Sequence, residues 1–105
     1  MPQTQVGIFD AIEILDRDEF MDYLKRMKDK LYEAWIPVIV TIRDGNTEEN
    51  ILKKHNTLKD AIDTLDLLMN LIASANSVTW RRTAKEFIAL NADRMKPIVW
   101  RLNHD

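Results

Sequence analysis

Apolar residues recur along this chain at alternating steps of three and four, the spacing that returns side chains to one side of an α-helix. Ile8, Ile12 and Leu15 open the pattern, with Phe9 beside them, and predict a short helix over residues 6–15. Asp16 then offers an N-cap, with Glu19 three residues on completing a capping-box pattern. Next, Phe20, Leu24, Met27, Leu31, Ala34, Val38 and Ile42 form one stripe that runs straight through Pro37. A proline inside a helix removes one hydrogen bond and crowds the carbonyl four residues back, here that of Glu33. The stripe therefore predicts a helix over 17–43, kinked near Pro37. A rival reading ends the helix at Trp35 and makes 36–42 a strand, because β-branched residues crowd there. No second strand of similar quality follows, so such a strand would need a partner chain for its backbone groups.

Gly45 is the expected helix stop, and Thr47 the expected start of the next helix, with Glu48 and Glu49 in its first turn. Ile51, His55, Leu58, Ile62, Leu65, Met69 and Ile72 carry the third stripe, which predicts a helix over 48–75. Asn76 and Ser77 make a short break, with Ser77 the expected N-cap. Trp80, Ala84, Phe87, Asn91, Met95, Ile98 and Leu102 then share one face of a last helix over 78–102, in which Pro97 is a second place for a kink. Short turns between long helices force antiparallel neighbours. The expected fold is all-α: one up-and-down helical-bundle domain of residues 1–105, with three long helices and a short N-terminal one. The presence of only two glycines and three prolines supports few turns and long elements.

Two stretches are too apolar for one-sided helices. In 65–73 only Asp66 and Asn70 are polar, and in 36–42 only Thr41 is. A helix that is hydrophobic all round is buried all round. In an antiparallel bundle the first stretch falls near the short N-terminal helix, which is expected to cover it. The second falls at the opposite end, near residues 98–102, with no spare segment to cover it. Ile36, Val40, Val99 and Trp100 are therefore the expected protein-contact patch, for a partner or a second copy.

The charge is uneven. Residues 1–22 hold six acids and one base, and 77–105 hold six bases and three acids. The simplest consequence is that the acidic N-terminus packs near the basic last helix. The alternative is a charged recognition patch at Arg81, Arg82 and Lys85. Those bases, with Arg94, Lys96 and Arg101 and a stacking Trp80 or Trp100, would also suit a phosphate backbone. The net charge of −2 lacks the basic excess of a dedicated nucleic-acid binder.

Catalytic chemistry is sparse. With no cysteine there is no disulfide, thiolate metal site or cysteine nucleophile. His55 lies on the apolar stripe with no second ligand at metal spacing, and His104 lies in the C-terminal tail. Asp60, Asp63 and Asp66 recur every three residues, a pattern similar to the magnesium-holding acids of all-helical nucleotide pyrophosphohydrolases. Those enzymes need acids on a second facing helix, and no matching pair stands out. Asn91 sits where the last helix should be apolar, suited to fixing register or to bonding His55 across the bundle.

The expected function is a small, non-enzymatic protein–protein interaction module, an adaptor, accessory or inhibitor protein of regulatory type, acting as a homodimer without metal or cofactor. The alternatives are nucleic-acid binding through the last helix and magnesium-dependent nucleotide hydrolysis. No signal-peptide pattern and no apolar run of spanning length occurs, so a soluble, cytoplasmic protein is expected.

Overall fold

A computed structural model describes residues 7–95. These form four helices: α1 (Ile8–Ile14), α2 (Arg17–Arg43), α3 (Glu49–Ser74) and α4 (Trp80–Leu90), with no strand among the described residues. The all-helical expectation stands, and 36–42 is helix rather than strand.

The helix ends explain themselves chemically. The Asp16 carboxylate accepts from the Glu19 backbone N–H at 2.8 Å, and the Glu19 carboxylate accepts from that of Asp16 at 3.1 Å. This reciprocal box starts α2 where the sequence placed it. Asp18 and Glu19 at its start and Arg43 at its end complement the helix dipole. Gly45 follows with φ of 100°, a left-handed conformation that an L side chain would strain. The cap of α3 is Glu48 rather than Thr47, and the Asn46 side chain accepts from the Glu48 N–H at 3.1 Å. The cap of α4 is Thr79 rather than Ser77. Asn76 organises that turn, its side chain accepting from the Val78 N–H at 2.7 Å and its carbonyl from Thr79 and Trp80.

The expected last helix over 78–102 is not continuous. It ends at Leu90, and Asn91 leaves the helical conformation at φ −114° and ψ 27°. The Asn91 side-chain amide donates to the Phe87 carbonyl at 2.9 Å, sharing that acceptor with its own backbone N–H at 3.0 Å. Asn91 thus marks a helix stop, and its side chain bonds Phe87 rather than His55. Residues 92–95 turn helical again, and Met95 is buried. The expected Pro97, Ile98 and Leu102 positions lie outside the described residues.

One core joins all four helices. Phe20, Leu24 and Leu31 of α2 meet Ile62, Leu65, Leu68 and Ile72 of α3, closed by Ile12 of α1 and Trp80 of α4. Each such side chain contributes about 1.5–3 kcal/mol when fully buried. The core is not spread evenly. No α3 residue before Leu58 is buried, and Val38 is the one buried α2 residue after Leu31. Helix lengths account for this. Eleven residues carry α4 about 16 Å, whereas α2 and α3, with 27 and 26 residues, run about 40 Å. Among the described residues, the long pair outruns its cover. The radius of gyration of 15.0 Å agrees, exceeding the roughly 12–13 Å of a compact chain of this size.

Polar contacts lock the arrangement. Between α2 and α3, Arg17 donates to the Ala75 carbonyl at 2.7 Å and Lys28 pairs with Asp66 at 2.7 Å. Further along, the Trp35 and His55 rings lie 5.6 Å apart. Across α1 and α4, Arg81 donates to the carbonyls of Ile12 and Leu15, each at 2.8 Å. The acidic first helix and the basic last helix do meet.

Pro37 sits on the exposed side of α2, where it denies the helix one hydrogen bond. Replacing it with alanine should stabilise the protein by about 1–3 kcal/mol in urea unfolding. A loss of stability would show that the fold relies on the proline.

Candidate functional site

The exposed apolar residues fall into groups. On α2, Ile36 is 55% and Val40 38% exposed, one turn apart and roughly opposite the buried Val38. On α3, Leu52 is 39% exposed. It stands one turn before His55, whose ring packs on Trp35, the neighbour of Ile36. These three residues therefore belong to the part of the α2–α3 pair where the core thins. Sequence reasoning found Ile36 and Val40 but missed Leu52, which lies one residue off the α3 stripe, directly after Ile51. A leucine just off a stripe was the available signal. Val99 and Trp100 lie outside the described residues.

Trp35 anchors this end. Its ring meets Tyr32 at 5.9 Å as well as His55. Its indole Nε1 is buried and has no hydrogen-bond partner among the described residues. His55 Nδ1 lies 3.2 Å from the Asn56 side-chain oxygen, with donor and acceptor set by the ring's tautomer. His55 thus has a local partner and an aromatic neighbour.

The expected charged patch divides. Arg81 is half-buried, stacked over the Trp80 ring at 4.7 Å with its N–H groups on two α1 carbonyls. Lys85 pairs with Glu13 of α1. Arg82 is exposed. Two of the three bases therefore hold α1 in place. The aspartate series behaves similarly: Asp63 pairs with Lys59 at 2.9 Å and Asp66 with Lys28, while Asp60 is exposed. Hydrogen bonding to these carboxylates raises the pKa of both lysines, opposed in part by desolvation. No cluster of three or more metal-ligating side chains gathers among the described residues. No helix among them is long and apolar enough to cross a membrane.

The expectation that α1 covers 65–73 needs correction. Leu65, Leu68 and Ile72 are buried, yet Leu67 is 55% and Leu71 37% exposed. The reason is where α1 lies. Arg81 and Lys85 draw it onto α4, and Asp10 acts on Tyr23 of α2, so α1 does not shield the far side of α3.

No protein family, no curated protein and no solved structure matches this chain.

Two measurements probe this chemistry. Trp35→Phe keeps an aromatic ring beside Tyr32 and His55 and removes the orphan donor. Its stability should fall within about 1 kcal/mol of the parent's in denaturant unfolding. A loss well beyond that would mean the N–H has a strong partner. Tyr23 supplies a pH effect: desolvation first, then the Asp10 charge, pushes its pKa from 10.0 up to about 12. The unfolded chain then gives up this proton before the folded one does. The stability Tyr23 contributes is complete below pH 10 and drains away as pH rises towards 12. Melting curves across that window should fall less steeply for Tyr23→Phe, and identical slopes would contradict the assignment.

Proposed function

We propose that this chain is a non-enzymatic protein-interaction module that self-associates through the thinly covered end of α2 and α3. The observation that carries this reading is the exposure of Ile36, Val40 and Leu52 where the core has run out. Apolar side chains grouped on a small protein's surface are the usual substance of contact sites. The surrounding architecture is proposed as an antiparallel, up-and-down bundle with α2 kinked at Pro37. Its support is the order of contacts, in which Arg17 meets Ala75, Lys28 meets Asp66 and Trp35 meets His55. The absence of cysteine suits a reducing, cytoplasmic setting.

A lasting dimer interface buries about 800 Å² per partner. Three partly exposed side chains supply less than that, so association through this face alone is weak and concentration-dependent. A regulatory or accessory module that exchanges partners needs that property.

Light scattering behind size exclusion tests the proposal. The mass should climb from 12.3 kDa towards twice that value as concentration rises, with little change in high salt. Ile36→Glu should hold the protein at the monomer mass. A parent protein that stays monomeric at every concentration would overturn the reading.

A further inference from the structure

Helix α1 is the least self-sufficient element of the fold. It has seven residues and no side-chain N-cap. A helix of fewer than about 12 residues is marginal in water by itself, so α1 is helical because it is seated. It buries Ile8, Ala11 and Ile12, whereas α3 buries seven residues. The start of α2 is made without it. Asp16 and Glu19 close that start reciprocally, and Arg17 ties it to the Ala75 carbonyl at the end of α3. Between the two helices, Leu15 (φ −97°, ψ 149°) and Asp16 (φ −76°, ψ 176°) run as extended backbone, a conformation open to any residue.

The polar fastening of α1 comes from one face of α4. Arg81 and Lys85 are four residues apart and so stand side by side on that helix. Arg81 donates to the Ile12 and Leu15 carbonyls, and Lys85 pairs with Glu13. Both cations therefore grip the C-terminal half of α1, beside the connector. The Arg81 guanidinium also lies over the Trp80 ring, which meets Phe20 at 5.5 Å, and Phe20 stacks on Tyr23 at 5.8 Å. Asp10 of α1 lies close enough to Tyr23 to act on its charge. An aromatic row thus stands at the seat of α1, and one arginine touches both the row and the helix over it.

We propose that α1 is a strap that opens as one unit on the Leu15–Asp16 connector while α2, α3 and α4 stay packed, with Arg81 as its latch. Closed, the strap keeps Ile8, Ala11 and Ile12 from water and satisfies the Arg81 donors. Open, it frees the guanidinium over the Trp80 ring and uncovers the aromatic side chains beside it. The molecule thereby carries a conditional surface of one cation and an aromatic row, and charged contacts set how often that surface is shown. This device does not rest on self-association through Ile36, Val40 and Leu52, which belong to another part of the α2–α3 pair.

Amide hydrogen exchange of the full chain in sub-denaturing urea, followed residue by residue by NMR, tests the proposal. The strap is reported by the amides of Ala11 and Leu15, bonded to the Gly7 and Ala11 carbonyls at 2.9 and 3.0 Å. The amides of the fully buried Leu24 and Leu65 report on the core. Exchange in the strap should quicken with urea along a slope above zero but well below that of the core, because the slope follows the surface exposed. Arg81→Gln removes the charged donor and should quicken exchange in the strap about tenfold or more. Glu13→Gln, at an exposed pair, should quicken it only a few-fold. Leu31→Val trims the core mildly and should quicken Leu24 and Leu65 about fivefold. It should leave Ala11 and Leu15 within about twofold, because the open form keeps the same core. A flat urea slope would overturn the proposal, since α1 would then fray in its seat. So would a slope equal to the core's, or an equal response of all four amides to Leu31→Val, since α1 would then leave only on global unfolding. Indifference to Arg81→Gln would remove the latch. Repeating the measurement on Ile36→Glu should give the same strap exchange, so the strap and the self-association face can each fail without the other.

Discussion

A length mismatch governs this molecule. Two helices of about 40 Å are covered, among the described residues, by one of about 16 Å and a shorter one. Burial follows from that. Where α1 and α4 lie over the pair, Phe20, Leu24, Leu65 and Leu68 are fully enclosed. Where they do not, Ile36, Val40 and Leu52 stay in contact with water, and Trp35 lies among other aromatics rather than in a closed core. The apolar excess of residues 36–42 thus falls on a helix segment with few neighbours among the described residues.

Charged side chains decide which surfaces are left over. Arg81 would be costly at a half-buried position without partners, and the Ile12 and Leu15 carbonyls at the end of α1 satisfy it. Those carbonyls are among the acceptors a helix end leaves unpaired, so the contact solves two problems together. It also fixes the side of α4 on which α1 rests. Leu67 and Leu71 remain exposed as a result. Bases that looked like a recognition patch are, at Arg81 and Lys85, joints of the fold, with Arg82 left facing solvent.

Much of this was legible in the order of residues. The stripes through Phe20–Leu31 and Leu58–Ile72 identify the core because helical periodicity dominates burial. The Asp16–Glu19 box and Gly45 mark their helix ends because cap chemistry is local. Three features resisted. Asn91 occupies an apolar register, so a continuous stripe concealed the helix stop at that residue. The exposure of Leu67 and Leu71 depends on which side of α4 carries α1, a tertiary fact that no local pattern encodes. Leu52 was hidden by its neighbour Ile51, which satisfies the stripe by itself. For the candidate site, Ile36 and Val40 were visible because a helix apolar on all sides is anomalous.

The α1 clasp also carries a kinetic consequence. Arg81 reaches acceptors 69 and 66 residues earlier in the chain, whereas α2 and α3 are joined by a tight turn at Gly45. Closing so long a loop costs entropy that a hairpin does not face. Pairing α2 with α3 therefore costs less closure entropy than seating α1 against α4, and α1 is the piece expected to detach at the lowest cost. Its departure uncovers Ile12 and Trp80 while α2 and α3 stay folded. That partly opened form, rather than the fully unfolded chain, is the one a protease or an aggregating neighbour would meet.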